Sequence, residues 1–237
     1  MTNRLAYATI HSMRPEDNQN DHPWQRIPLS VYETHMGGDQ VGQLQALNAC
    51  MQDQLNRYPV RTAAVLGIAG GNGLEHVDAT SISTLYGIDI NASYLQEAVR
   101  RFPQLEGVFI PLCIDLAKEA HKVPHCDLLI ADLVVEYLGY DAFCHVVQAA
   151  QPPYISVVIQ MQEAGSFVSN SPLKTAFDCL ETILHPLSEE GLGKLLVSLG
   201  YRTIHAEKIG LSNLKWFLRF DYRYESQHER LLNHHFS

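Results

Sequence analysis

Short apolar runs recur through the first two thirds of the chain, and they lack the three- to four-residue spacing of a helix. Five of them cover residues 62–66, 83–89, 107–114, 126–131 and 154–159. An apolar run of this length, bounded by turn residues, is typical of a strand buried on both faces of a parallel sheet. Helical patterns lie between the runs at 92–102, 140–151 and 172–184. The alternation predicts an α/β fold with a doubly wound, mostly parallel sheet.

The two ends of the chain have other patterns. Apolar residues at helical spacing predict an amphipathic helix over 39–56, and the aromatic-rich segment 24–36 predicts a first ordered element after a polar approach at 16–21. Strand-like runs at 201–209 and 215–224, separated only by 210–213, predict a C-terminal antiparallel hairpin that brings the sheet to seven strands. We expect residues 1–58 to form an N-terminal extension with a helical lid, and residues 59–237 to form one Rossmann-like domain.

Composition and charge narrow the class of partner. The chain has 237 residues, 46% of them hydrophobic, and a formal net charge of −9, which disfavours electrostatic capture of nucleic acid. We therefore expect a small-molecule substrate, while a protein substrate and the oligomeric state stay open. The five cysteines form no CxxC pair, which indicates a reducing compartment. No apolar leader and no run of about twenty apolar residues is present, so we expect a cytoplasmic protein that does not enter a membrane.

The most informative segment is the glycine-rich stretch 64–76, which follows the first predicted strand and precedes a predicted helix start. Glycines permit a tight turn and a close approach to a ligand, and a helix N-terminus offers free N–H groups to an anion. Asp89 closes the next strand, about twenty residues later, where a carboxylate can accept hydrogen bonds from a ribose diol. Together these features predict a nucleoside site. Asp89 also fits a helix cap, a duty that Asn91 could share.

These residues resemble the first two motifs of the class I S-adenosylmethionine-dependent methyltransferases. In that family a carboxylate residue precedes three alternating glycines, and an acid ends the second strand. Here Gly71 and Gly73 match two of the glycines, Ala69 stands at the first, and Gly67 replaces the carboxylate. The family carboxylate helps to hold the amino group of the cofactor, so Glu75, Glu33 or backbone carbonyls would have to substitute for it.

The resemblance continues through the third and fourth motifs and covers about residues 62–224. Asp115, between Ile114 and Leu116, matches the residue that meets the adenine amino group, although it equally fits a helix N-cap. The segment 132–137 matches the fourth motif. The resemblance implies S-adenosylmethionine as cofactor and S-adenosylhomocysteine as product. The implied cofactor-binding residues are Gly67, Ala69, Gly71, Gly73, Asp89, Ile90, Asp115, Leu116 and Asp132.

Methyl transfer from a sulfonium needs positioning more than covalent catalysis, and a base is needed only for a protonated acceptor. Candidate bases are Glu136, Tyr137 and His35, which we expect near the carboxyl edge of the sheet or its cover. In the N-terminal segment, Tyr32, Glu33 and Met36 are candidate lid and substrate residues. Simple packing explains Tyr137 and the N-terminal segment equally well, and solvent exposure explains Glu136.

Two other functions compete with this interpretation. An NAD(P)-dependent oxidoreductase also uses a glycine turn and an acid on the second strand, but no complete GxGxxG is present because the segment that begins at Gly71 ends in His76. A catalytically inactive cofactor-binding regulatory or scaffold protein would tolerate Gly67.

Three sequence features suggest sites that their context does not support. The Pro-Pro-Tyr segment 152–154 precedes the fifth strand rather than following the fourth, so it is better explained as an entry turn. The pairs His121/His125 and His234/His235 lack the context of a metal site, and we expect no metal.

Overall fold

A seven-stranded sheet forms the centre of the computed structural model, which describes residues 22–163, 167–211 and 214–226. Its strands are β1 (Thr62–Leu66), β2 (Thr84–Asp89), β3 (Phe109–Cys113), β4 (Leu128–Asp132), β5 (Tyr154–Gln162), β6 (Tyr201–Gly210) and β7 (Lys215–Tyr224). The order is β3-β2-β1-β4-β5-β7-β6, with β1 to β5 parallel and β7 antiparallel to both of its neighbours. The predicted mostly parallel sheet with a C-terminal hairpin is confirmed.

Six α-helices cover the two faces of the sheet in the described part of the chain. They are α1 (Leu29–Gly37), α2 (Gln43–Arg57), α3 (Ala92–Arg101), α4 (Leu116–Glu119), α5 (Val135–Ala150) and α6 (Glu189–Ser198). One apolar cluster joins α2 and α3 to one face of β1 and β4. A second joins α5 and α6 to the opposite face. None of the helices in the described ranges is long and apolar enough to cross a bilayer.

Three local predictions were wrong. The helix expected after the glycine-rich turn is only a 3-10 helix, Leu74–His76, which ends at the extended Val77. The helix expected over 140–151 begins earlier, at Val135, because a kink at Gly139 (φ 72°) interrupts its periodicity. Residues Lys174–Ile183 form a 3-10 helix rather than an α-helix. The polar approach at 16–21, residues 212–213 of the hairpin turn and the pair His234/His235 lie outside the described residues.

A buried polar network runs beneath α2, where α2 crosses β4, β5 and β7. Gln54 Nε2 donates to Asp132 Oδ1 and to Ser156 Oγ, both at 2.9 Å. Ser156 Oγ in turn donates to Asp221 Oδ1 at 2.5 Å. Asp221 also accepts two hydrogen bonds from Arg219, at 3.0 and 2.7 Å. These bonds connect the end of β4 to β5 and β7.

Candidate functional site

A cavity opens at the carboxyl edge of the parallel strands. Its volume is about 1060 Å³ when its solvent-open part is included. Residues that follow β1, β2, β3 and β4 line it from below, and α1, the residue Trp24 and the segment 167–169 line it from above. Ligands of open α/β sheets bind at this edge, so the position alone makes the cavity the candidate site.

Asp89 ends β2 and lines the cavity. Its Oδ2 accepts the Ala69 N–H at 2.9 Å and its Oδ1 accepts the Asn91 N–H at 2.8 Å. Burial raises the pKa of this carboxyl to about 6, while the backbone hydrogen bonds oppose the shift. The side chain is therefore held by the turn after β1 and is ionised at neutral pH. Asn91, not Asp89, caps the following helix through Ser93 N–H.

The turn after β1 divides into two parts. Gly67 (φ 65°) and Ala69 (φ 49°) line the cavity. Gly71 and Gly73 do not line the cavity and instead pack against other parts of the protein. A Cβ on Gly71 would lie 2.8 Å from Leu74 Cδ1, and one on Gly73 would lie 2.5 Å from Met51 Cγ. These two glycines allow the turn to pack closely on its own neighbours.

At the β3 end of the cavity lie Ile90, Asp115 and Leu116. Asp115 Oδ1 accepts the Ala117 N–H at 3.1 Å and so caps α4, and Asp115 Oδ2 pairs with Lys118 Nζ at 2.9 Å. Asp115 therefore caps α4 and lines the cavity at the same time.

Two buried carboxyl groups follow β4. Asp132 lines the cavity, and its Oδ2 is buried without a hydrogen-bond partner among the described residues. Glu136 is only 1% exposed and lies outside the lining, where its Oε1 accepts the Gln160 N–H at 2.8 Å. Burial raises the pKa of both groups to about 7.

The helix α1 places three of its four candidate residues at the cavity. Tyr32, His35 and Met36 line it, whereas Glu33 pairs with Arg101 of α3 beside Gly70. Tyr137 also lines the cavity, with its ring 5.1 Å from Trp24, and burial raises the pKa of its hydroxyl above the usual range.

Neither carboxylate suggested as a substitute at Gly67 lines the cavity. Glu75 accepts hydrogen bonds from Asn48 Nδ2 at 2.6 Å and from the Gly73 N–H at 3.1 Å. In sheet register Gly67 lies between two carboxylates, Asp89 after Ile88 and Asp132 after Ala131, because Leu66 pairs with both Ile88 and Ala131.

Sequence reasoning missed several residues at the end of the cavity near β5, away from Asp89. Gln43 and Gln160 line it and hydrogen-bond to each other, and Phe167 and Phe177 also line it. Gln160 is the first polar residue after the apolar run 154–159, a signal that could have identified it. Phe167 and Phe177 carry no comparable signal, since core packing explains an aromatic residue equally well.

No group of three or more potential metal ligands of the His, Cys, Asp and Glu types occurs among the described residues. His121 lies in a short 3-10 helix, and His125 contacts the Ala150 carbonyl oxygen at 3.3 Å.

Comparison with known proteins gives a clear result for structure alone. No protein-family model matches the sequence, and no curated protein is similar to it in sequence. The N-methyltransferase NodS from Bradyrhizobium japonicum WM9, in complex with S-adenosyl-l-homocysteine, is similar with a TM-score of 0.61 at 15% identity, over 87% of this chain and 100% of that one. Magnesium protoporphyrin IX methyltransferase (ChlM) from Synechocystis PCC 6803, with bound SAM, is similar with a TM-score of 0.55 at 12% identity, over 95% of this chain and 92% of that one.

A third neighbour, the [4+2]-cyclase SpnF, gives a TM-score of 0.59 at 10% identity, over 82% of this chain and 92% of that one. The fold therefore includes proteins named for other reactions. At these identities the likeness concerns architecture. By its strand order, its inserted antiparallel strand and these neighbours, the chain has the fold of the class I S-adenosylmethionine-dependent methyltransferases.

Proposed function

We propose that this protein is an S-adenosylmethionine-dependent methyltransferase that acts on a small-molecule acceptor. The observation that carries the proposal is the position of Asp89 in the cavity wall, joined to the turn after β1 through Ala69 N–H. Ala69 and Asn91 each donate a backbone hydrogen bond to a different oxygen of this carboxylate, and the Ile90 N–H also lies close enough to lower its pKa. A carboxylate has about four lone-pair sites, so it keeps acceptor capacity for a hydroxyl of a ribose diol.

The residues present fit this cofactor. A Cβ at Gly67 would lie 3.2 Å from Val134 Cγ2, so the space beside the turn depends on a glycine there. Ile90, Asp115 and Leu116 would border the adenine, and Gly67, Ala69 and Asp132 would border the amino-acid end. The unpartnered Oδ2 of Asp132 supports this placement, since a buried carboxylate oxygen gains from a ligand donor. Gly71 and Gly73 would act by shaping the turn.

When bound, the sulfonium supplies an activated methyl group. The chain would orient the acceptor and exclude water, for which the cover of α1 with Tyr32 and Met36 is suited. Of the three candidate bases, His35 and Tyr137 line the cavity, while Glu136 would act by holding Gln160. Glu33 would fasten α1 to α3 through Arg101.

Calorimetry with S-adenosylmethionine, S-adenosylhomocysteine and NADH tests the proposal. We expect the first two to bind at micromolar Kd or tighter, and Asp89→Ala to weaken them at least tenfold, which is about 1.4 kcal/mol. Asp141→Ala, which changes an exposed acid on α5, should leave both affinities unchanged. Tight NADH binding without S-adenosylhomocysteine binding would contradict the proposal and favour an oxidoreductase. Cofactor binding without any turnover to S-adenosylhomocysteine would favour a regulatory protein.

A further inference from the structure

The strand order separates the two ends of the cavity. Asp89 at the end of β2 lies at one end, and Gln160 on β5 lies at the other, with β1 and β4 between them. Three strand spacings of about 4.8 Å make this separation roughly 14 Å. The residues around β5 therefore form a second region of the same cavity, beyond the one that Asp89 serves.

His35 is the ionisable side chain of α1 in this second region. It is 3% exposed and lines the cavity, its Nδ1 lies 2.7 Å from Ser171 Oγ, and its ring packs on Phe177 at a centroid distance of 4.4 Å. Its ring hydrogen-bonds to the described residues through Nδ1. When Nδ1–H donates to Ser171, the Nε2 lone pair remains free to accept a proton.

The charges near His35 disfavour a charged acceptor. Burial and the nearby Lys215 ammonium lower the pKa of the imidazole, which is therefore neutral at pH 7. Lys215 Nζ donates to the Phe167 carbonyl oxygen at 2.5 Å and does not line the cavity. An ammonium acceptor in this region would lie near this positive charge, while the acids that line the cavity, Asp89, Asp115 and Asp132, border the proposed cofactor. An anionic acceptor would find no Lys or Arg among the described residues that line the cavity.

Two carboxyl groups follow β4 near this end. Asp132 accepts a hydrogen bond from Gln54 through Oδ1, and its unpartnered Oδ2 is the oxygen that the proposed function gives to the amino-acid end of the cofactor. Glu136 lies outside the cavity lining and accepts a hydrogen bond from Gln160, and Glu33 on α1 pairs with Arg101. Burial, followed by the nearby Lys174, lowers the pKa of the Lys215 amine to about 8.

The walls of this region are mainly apolar and aromatic. Met36, Leu133, Tyr137, Phe167 and Phe177 line them, and the amide groups of Gln43 and Gln160 add uncharged polar contacts. Aromatic walls of this kind bind flat, apolar ligands through a large contact area.

We propose that the methyl acceptor is an uncharged aromatic compound with a hydroxyl group, and that His35 takes the proton of that hydroxyl. The inference rests on the proposed function. In the step assigned to the chain, the O–H bond breaks, the Nε2 lone pair binds the proton to give an imidazolium, and the electron pair stays on the oxygen that is to be methylated.

Binding of a matched series to the protein saturated with S-adenosylhomocysteine tests the acceptor class. The probes are 2-naphthol, 2-naphthylmethylamine and 2-naphthoate, which share one skeleton in neutral, cationic and anionic form. We expect calorimetry at pH 7 to give 2-naphthol at least tenfold higher affinity than the other two. Equal affinities, preference for a charged probe, or no binding of any probe would overturn the assignment.

The role of His35 is tested with S-adenosylmethionine and 2-naphthol. S-adenosylmethionine is kept saturating at every pH, so that the ionisation of Asp89 does not enter the measured rate. We then expect kcat/KM for 2-naphthol to rise with pH through one ionisation below about 6.5, the ordinary value for histidine, and to stay level until the naphthol ionises. His35→Gln should lower kcat/KM at least a hundredfold and remove this step, while its affinity for 2-naphthol changes less than threefold. Ser171→Ala removes the hydrogen-bond partner of His35 Nδ1. This variant should have a lower kcat/KM than the wild type and the same thermal midpoint.

His121→Gln, which alters a histidine outside the cavity, is the matched control and should keep the wild-type pH profile. An unchanged pH step in His35→Gln would show that another group takes the proton. Failure of S-adenosylhomocysteine to bind at all would instead remove the proposed function itself. A bound S-adenosylhomocysteine with no naphthol preference would remove only the acceptor assignment.

Discussion

Among the residues that the structure describes, Arg219 is the largest buried charged side chain, with 1% of its surface exposed. Its guanidinium donates to both oxygens of Asp221 and, at 2.7 Å, to Asp53 on α2. A buried charge without such partners costs several kcal/mol, since its desolvation is not offset. The hydrogen bonds of Tyr58 and Ser156 to the same Asp221 carboxylate complete its coordination.

We expect Asp221→Asn to lower the free energy of unfolding by about 3–5 kcal/mol, because it leaves Asp53 as the charged partner of the buried Arg219 and puts an amide N–H₂ where Arg219 donates. Urea denaturation followed by circular dichroism measures the change. Glu190→Gln removes an acid from the exposed Lys194–Glu190 pair and should cost less than about 1 kcal/mol. Equal losses for the two variants would contradict the structural role of the network.

The ionisation of Asp89 should set the pH dependence of cofactor binding. Its pKa is raised to about 6 by burial, and the ionised form is the better acceptor for ribose hydroxyls. Affinity for S-adenosylhomocysteine should therefore be full above pH 7 and fall by about tenfold per pH unit well below pH 6. Calorimetry between pH 5 and pH 8 tests this, and Asp89→Asn should bind weakly without that slope. A slope retained in the variant would assign the ionisation to another group, such as Asp132.

At single residues, the sequence predicted best where a polar side chain ends an apolar strand. Asp89, Asp115 and Asp132 could be identified in this way, because the carboxyl ends of parallel strands meet at one edge. The hydrogen-bond partners that orient polar side chains at this edge could not be predicted. The bond from Gln54 to Asp132 spans 78 positions, and the pair Gln43–Gln160 spans 117. Contacts over such distances depend on the packing of α2, which periodicity does not specify.

Among the elements, strands were predicted more reliably than the segments between them. The run 62–66 became β1 with the same bounds, since a strand buried on both faces needs a continuous apolar sequence. The helix expected after residue 73 failed because Thr80 and Ser81 hydrogen-bond to Asp78 and favour a turn. The helix α6 went unpredicted, although Ser188 caps it through Gly191 N–H.

The contact of α1 with the glycine-rich turn can be tested by adding one methyl group. A Cβ at Gly70 would lie 2.6 Å from Glu33 Oε1, 2.8 Å from Arg101 Nη1 and 2.9 Å from Leu29 Cδ2, so Gly70→Ala must shift the side chains that join α1 to the turn and to α3. We expect a loss of about 1–3 kcal/mol in stability and weaker S-adenosylhomocysteine binding. Thermal denaturation and calorimetry measure the two effects.

Gly193→Ala is the matched control, because its added Cβ meets nothing within 4 Å and it lies in helix α6. This substitution should stabilise the protein by about 0.5–1 kcal/mol and leave binding unchanged. Normal cofactor affinity in Gly70→Ala would show that the contacts of Glu33 and Leu29 with the turn do not matter to the site.

On the scale of the whole molecule, the cavity draws its walls from residues far apart in the sequence, from His22 to Phe177. A ligand held there stabilises the folded state against the unfolded one by mass action, by about 2.7 kcal/mol at a hundred times Kd. For a chain of this size that free energy corresponds to a rise in Tm of roughly 5–10 °C. Differential scanning calorimetry with S-adenosylhomocysteine should show the rise. Asp89→Ala should show much less, and an equal shift with NADH would contradict the cofactor assignment.

The strand β7 follows every other described strand in the chain, yet it occupies an interior place between β5 and β6. During synthesis, the nine residues of β5 from Tyr154 to Gln162 therefore emerge from the ribosome with one edge unpaired until Lys215–Tyr224 arrives. An unpaired apolar edge is a template for association with other chains. A nascent chain that stalls between β6 and β7 would expose this edge, so final assembly of the sheet waits on a late event of translation.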